Sequence, residues 1–182
     1  MGEMNVMKEK IIYSRIPSPV WHWLDVNEAV TAKPLPKAGK AAVSQDKRIR
    51  PQTAMSAEDA ALAAKVKMAT TRQADEAIEK YSQQRFFLDV PSGKKEIEPI
   101  YLNFDFLSEG GFYDDIFIKS GEGSQAEVVL LYTGRGGCHG GRLRVHIGKN
   151  ASLHLCLVQF LADDMVNTDS IGVRAEAGDH FV

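Results

Sequence analysis

The sequence predicts a mainly β protein, a right-handed parallel β-helix (solenoid) with coils of 27–28 residues, preceded by an N-terminal helical and extended segment. Three observations carry that expectation. Leu88, Ile116, Leu143 and Ile171 open four copies of one pattern, at intervals of 28, 27 and 28 residues. Val90, Ile118, Val145 and Val173 follow two residues later, so the apolar positions alternate as in a strand rather than recurring at helical spacing. A tight corner comes next, opening at Gly93, Gly121, Gly148 and Glu176.

Residues 1–85 divide into a leader, a linker and a surface helix. The leader holds an aromatic patch, Trp21-His22-Trp23-Leu24, behind Pro17-Ser18-Pro19. Exposed tryptophans are costly, so the patch docks, either on its own domain or as an anchor for a partner. Thr31 to Pro51 reads as a linker, because Pro34, Pro36 and Gly39 break regular structure. Its basic residues Lys33, Lys37, Lys40, Lys47, Arg48 and Arg50 face only Asp46 and read as solvated. Ser56 to Gln84 predicts one helix: Ser56 and Asp59 have capping-box spacing, Ala57 and Ala60–Ala64 favour helix, and Glu76 precedes Lys80 by one turn. Its apolar stripe is thin and mostly alanine, which suits a surface position.

Residues 86–182 read as the first coils of the solenoid. The alternating segments Asp115–Lys119, Arg142–Ile147 and Ser170–Arg174 are first strands, and Ala126–Tyr132, Leu153–Leu161 and the start at Phe181 are second strands. The corners are Gly121-Glu122-Gly123-Ser124, Gly148-Lys149-Asn150-Ala151 and Glu176-Ala177-Gly178-Asp179. Gly and Asn recur at the third place, which implies positive φ there. The first copy, aligned on Gly93, has Lys95 at that place and so reads as an atypical end coil. Equivalent strands should stack in parallel about 4.8 Å apart. The inward ladders are then Ile116/Leu143/Ile171, Ile118/Val145/Val173 and Ala126/Leu153/Phe181. The fourth copy reaches Val182 within its second strand, so the C-terminal end reads as uncapped, the opening portion of a longer solenoid or a rung closed by a partner.

A net charge of −2, with 25% charged residues, favours neither nucleic acid nor a membrane surface as partner. Met1 to Lys10 lacks a signal-peptide core, so the cytoplasm is the expected compartment, where Cys138 and Cys156 stay reduced.

The run Thr133 to Arg142 is glycine-rich, but it lacks the Gly-Lys-Ser/Thr ending of a phosphate loop and precedes a strand, so it reads as a flexible connection. Cys138, His139, His154 and Cys156 are soft ligand types. Cys138 and His139 are adjacent, which makes joint chelation awkward, while His154 and Cys156 share a strand face. Neither pair has a third or fourth ligand at suitable spacing. Asp114-Asp115 and Asp163-Asp164 read as solvated loop carboxylates; neighbours on a strand point to opposite faces and make poor acid–base pairs. No catalytic, cofactor-binding or metal-binding residue is therefore assigned, and the chain is not expected to be an enzyme.

The stretch Pro17 to Glu28, with its Trp-His-Trp-Leu-Asp-Val-Asn core, resembles the leading segment of SufD-type proteins of the SUF iron–sulfur assembly system. Ile118–Ser124 and Val145–Leu153 are similar to the family's β-helix coils, and Gln159 matches a usual glutamine. The resemblance implies a scaffold that pairs with a SufB-type paralogue through its β-helix. It also implies binding of a SufC-type ATPase through a C-terminal region that these residues do not include. The iron–sulfur cluster would be transient and belong to the full complex, with none bound by this chain alone. Two rival readings are a carbohydrate-active β-helix enzyme and a metal-independent protein-binding module.

Overall fold

The computed structural model of the chain describes residues 10–15, 28–32, 38–68, 70–107, 109–178 and 180–182. The Trp21–Leu24 patch lies outside them. In chain order the elements are β1 (Lys10–Arg15), β2 (Glu28–Ala32), β3 (Ala41–Gln45), β4 (Ile49–Pro51), α1 (Ala57–Ala64), α2 (Arg72–Tyr81), β5 (Gln84–Val90), β6 (Ile100–Phe106), β7 (Gly111–Ser120), β8 (Gln125–Gly134), β9 (Cys138–Ile147), β10 (Ser152–Leu161), β11 (Val166–Ala175) and β12 (His180–Phe181). β1 and β2 form an antiparallel pair. All other strands belong to two five-stranded sheets, ordered β12-β10-β8-β6-β3 and β11-β9-β7-β5-β4. Successive odd and even strands stack in parallel, so β5–β6, β7–β8 and β9–β10 are coils of a β-solenoid and β11–β12 begins another.

The ladders pair as the sequence predicts from the second coil onward. Ile116, Leu143 and Ile171 are in register, as are Ile118, Val145 and Val173, and Ala126, Leu153 and Phe181. Alternation places Val128, Leu130 and Tyr132 inside from β8, and Ile100, Leu102, Phe104 and Phe106 inside from β6. Phe104 and Tyr132 stack with ring centroids 4.9 Å apart and planes within 4°. One ring above another in successive rungs is what parallel register imposes on identical faces.

The first coil differs from its predicted alignment. Leu88 pairs with Ile118, and Phe86, rather than Leu88, pairs with Ile116. The third place of the first corner is therefore Gly93, not Lys95. Gly93, Gly123, Asn150 and Gly178 all have positive φ, 71°, 65°, 56° and 78°. The turn chemistry thus holds in every corner, and the first copy is not atypical there. What lengthens this coil is a two-residue bulge. Lys95 still bridges Gln125, but Ile100 pairs with Val128, so Glu96–Pro99 must bow outward. Ile97 at its crest is 95% exposed. Arg48 holds the bulge: its guanidinium donates to Glu96 Oε2 (2.8 Å), to the carbonyls of Glu98 and Pro99, and to Asp46.

That contact also corrects the linker expectation. Of the described part, Thr31 and Ala32 end β2, and Ala38 to Pro51 is a cap on the solenoid's first rung. β3 pairs antiparallel with β6 and β4 antiparallel with β5, one strand of the turn closing each sheet. An antiparallel cap satisfies the backbone groups of an end rung and ends the parallel stack there. Arg48 is accordingly a clamp rather than a solvated charge, and it draws the Asp46 carboxyl down to about 2.

The predicted single helix is two. The Ser56–Asp59 capping box is present, with Ser56 Oγ accepting from Asp59 N–H at 3.1 Å. α1 stops at Ala64, and α2 restarts at Thr71, whose hydroxyl accepts from Ala74 N–H. Thr70 Oγ1 donates to Asp75 Oδ1 at 2.9 Å and lies 2.9 Å from Ser170 Oγ on β11. Adjacent threonines that offer the backbone such side-chain bonds compete with helix continuation. Both helices cover the outer face of the second sheet. Ala63 and Val66 pack on Phe87 and Phe117, which stack 5.7 Å apart. Asp115, fully buried under α2, accepts from Arg142 (2.6 Å) and Arg144 (2.9 Å), and Arg142 also donates to Glu79 of α2. Lys119 reaches Asp59 of α1 at 2.7 Å.

Two stability measurements follow. Gly123 has open space where a Cβ would sit. Gly123→Ala therefore loses about 1–2 kcal/mol by backbone strain alone, while Asn150→Gly stays within about 0.5 kcal/mol, read as urea midpoints. Asp115→Ala leaves two arginines without their buried counter-ion and lowers stability by about 3 kcal/mol. A loss below about 1 kcal/mol would mean the helical layer does not depend on that carboxylate.

Candidate functional site

The predicted candidate residues distribute as follows. Cys138 opens β9, its Sγ 3.6 Å from Tyr113 Oη. Cys156 lies on the other sheet, on the outer face of β10, and both thiols are free and half-buried. His154 shares that outer face and lies 3.9 Å from Glu127. Among the described residues, no group of three or more His, Cys, Asp or Glu side chains is arranged to hold a metal ion. Asp163 and Asp164 are exposed in the turn before β11, as expected, and Asp164 accepts from Gly136 N–H at 3.3 Å. Asp114 and Asp115 are not loop residues. Both lie within β7 and both are buried, on opposite faces. The glycine-rich run is mostly strand, the connection being only Arg135–Gly137.

The structure assembles a polar cluster inside the solenoid that the residue-by-residue reading does not bring together. Inward positions of β7, β9 and β11 fall in register: Phe112 beside His139 beside Asn167, and Asp114 beside Gly141 beside Asp169. His139 is 1% exposed and Asp114 1% exposed. His139 Nε2 lies 2.7 Å from Asp114 Oδ2, and His139 Nδ1 lies 2.5 Å from Asn167 Oδ1. The chain continues to the open side. Asn167 Nδ2 donates to Asp169 Oδ2 at 2.7 Å, and Gln159 Nε2 donates to the same oxygen at 2.6 Å. Aromatic rings of Tyr132 and Phe106 pack on the imidazole at 4.7 and 5.2 Å.

This network fixes where a proton sits. Asn167 gives its amide N–H to Asp169, so its carbonyl oxygen faces His139 and requires Nδ1 to be the donor. Nε2 then makes a hydrogen bond to Asp114 only if one more proton lies between them, on the ring or on the carboxyl. Without it, a lone pair would face a carboxylate in the protein interior. The electrostatics agree. Burial disfavours a charged imidazole, yet Asp114 and Asp169 together hold His139 above its ordinary value, and burial raises Asp114. Both directions mean that the folded pair binds its proton more tightly than the unfolded chain does. Burial, with Asp114 and Asp169 nearby, also pushes the Tyr132 phenol far up, so it keeps its hydroxyl proton.

Sequence periodicity held the signal for this cluster. His139 and Gly141 are in phase with Leu143, Val145 and Ile147, and Asp114 with Ile116 and Ile118, so all three point inward by strand alternation.

No protein-family model matches the chain, and neither a curated protein nor a solved structure does.

The proton-holding pair sets a pH dependence. His139 has a raised folded value, so its contribution to stability is complete below the ordinary histidine value of 6.5 and is lost as pH rises through the raised one. His146, which burial lowers, acts in the opposite sense and weakens the fold as pH falls. Comparing unfolding free energy from pH 6 to 9 (on the order of two or three points per unit) in the native chain and in Asp114→Asn/His139→Gln isolates the pair. The native chain loses stability over that range and the double variant does not; parallel curves would show that the buried proton is not linked to folding.

Proposed function

We propose that the chain is a non-catalytic scaffold that works by binding other proteins, and that it serves iron–sulfur cluster assembly in the manner of SufD-type subunits. The observation that carries the scaffold reading is the outer face of the first sheet. Both helices pack on the other sheet, and the middle of this one carries Val129, Leu131, Cys156 and Val158, half-buried, with Tyr101 48% and Phe160 71% exposed. A contiguous apolar strand face with exposed aromatics is the composition of a protein-binding surface. The link to iron–sulfur assembly comes from the resemblance of the leading segment and the coils, and with it come a SufB-type paralogue and a SufC-type ATPase as partners.

The carbohydrate-active reading fits this face less well. Its carboxylates, Asp105 and Glu127, stand at opposite ends: Asp105 pairs with Thr133, six residues along β8 from Glu127. That separation is roughly 20 Å at strand rise, against roughly 5–9.5 Å for a pair of glycosidic carboxylates.

Affinity capture with purified partners tests the proposal. The chain retains a SufB-type protein, and Phe160→Asp with Val158→Asp weakens retention by about tenfold or more. Retention of neither a SufB-type nor a SufC-type protein removes the assembly role. Cleavage of an acidic polysaccharide would replace the scaffold reading with an enzymatic one.

A further inference from the structure

The polar cluster inside the solenoid opens on a small cleft lined by Asp114, Asp169, Tyr132, Leu130 and Leu157, beside Gly141. Its space suits one group about the size of a water molecule or an ammonium ion. Three features of this cleft are unexplained by the stacking of the coils. Asp114 Oδ1 is buried and has no hydrogen-bond partner, although Oδ2 is held by His139. Gly141 leaves out a side chain between the two aspartates, and Asp169 Oδ1 leans into that gap, 2.6 Å from where a Cβ would stand. Finally, the charges do not balance. One proton between Asp114 and His139 leaves that pair neutral as a whole, while the side-chain donors to Asp169 are two neutral amides, of Gln159 and Asn167. Among the described residues the basic group nearest Asp169 is the His139 ring, whose Nδ1 lies 3.7 Å from Asp169 Oδ1 but donates to Asn167, while its Nε2 faces Asp114. Arg142, which also borders the cleft, directs its guanidinium to Asp115 and Glu79 on the outer face.

We infer that this cleft is a binding site for the head of a primary alkylammonium group, the ammonium entering beside Asp114 and Asp169 and the carbon chain lying outside the enclosed space, past the half-buried Leu157. A buried carboxylate oxygen without a partner costs free energy that an N–H donor recovers, and a net negative charge in a low-dielectric site favours a cation. The walls select the kind of cation. A hydrated metal ion needs several oxygen ligands or waters, whereas an ammonium group offers three donors on an aliphatic stem. Asp114 Oδ1, Asp169 Oδ1 and the Tyr132 hydroxyl are the acceptors on hand, and the half-buried Leu157 meets the stem at the mouth. The group can come from a free small amine or from a lysine of another polypeptide strand.

Titration of the chain with n-butylammonium, followed by NMR at the Gly141 amide and the His139 ring, tests this. Sodium ion and 1-butanol separate charge from apolar contact. The expected result is a saturable shift with butylammonium, a response roughly tenfold or more weaker with either control, and a comparable weakening in Asp169→Asn and Gly141→Ala. Asp169→Asn keeps the side-chain shape, so it remains informative if Gly141→Ala fails to fold. A strand peptide carrying lysine, compared with the same peptide carrying norleucine, distinguishes the sources. Preference for the lysine peptide over butylammonium assigns a protein lysine, and equal or stronger binding of butylammonium assigns a free amine. Equal responses to butylammonium and 1-butanol, or no saturable shift at all, would overturn the site and leave the cleft holding water.

Discussion

Parallel stacking in register is the constraint on which the rest of this structure depends. Each inward side chain has a counterpart one rung above and one below, so an interior column must be compatible along its length. Apolar columns meet that demand easily, as Ile118/Val145/Val173 does. A polar residue inside does not, unless its neighbours in adjacent rungs supply partners. His139 is tolerable because Asn167 lies in the next rung and Asp114 within reach in the previous one. The same register that builds a dry core therefore builds a relay of hydrogen bonds running through three rungs.

The outer faces answer the same constraint differently. On the second sheet, two short helices cover the strands, and the buried Asp115 between Arg142 and Arg144 fixes the layer in place. On the first sheet, no helix among the described residues covers the strands, and apolar residues stand half-exposed in the middle of the face. The capping turn β3–β4 closes the first rung on both sheets at once, and Arg48 ties it to the bulge that makes the first coil longer. Coil length is thus locally adjustable while the core columns stay aligned.

Much of the fold is legible in the sequence, because strand alternation and a corner of fixed chemistry repeat. The corner needs positive φ at one place, and only glycine and asparagine occupy it. The first coil was harder to align because Gly93 matches either Gly121 or Gly123, and only the bulge at Glu96–Pro99 decides between them. The cap was hidden because antiparallel pairing with Leu102–Phe106 and Phe86–Leu88 leaves no trace in a repeat of parallel strands. The interior cluster was legible only in part. Asp114 next to Asp115 resembles a solvated pair, and only their phase relative to Ile116 and Ile118 puts one carboxylate inside and the other under a helix. The outer face of the first sheet carries no such periodic mark, which is why function is read less directly than fold.

The central claim is that equivalent strands lie side by side in parallel with the interior polar column closed. Long-range NMR contacts between backbone protons test it most directly. The account predicts contacts linking Leu130 to Leu157 and Ile118 to Val145, together with a His139 ring proton that exchanges slowly and couples across to Asp114. Contacts displaced by one or more residues along β8 and β10, or a His139 ring that exchanges as freely as one in solvent, would contradict it.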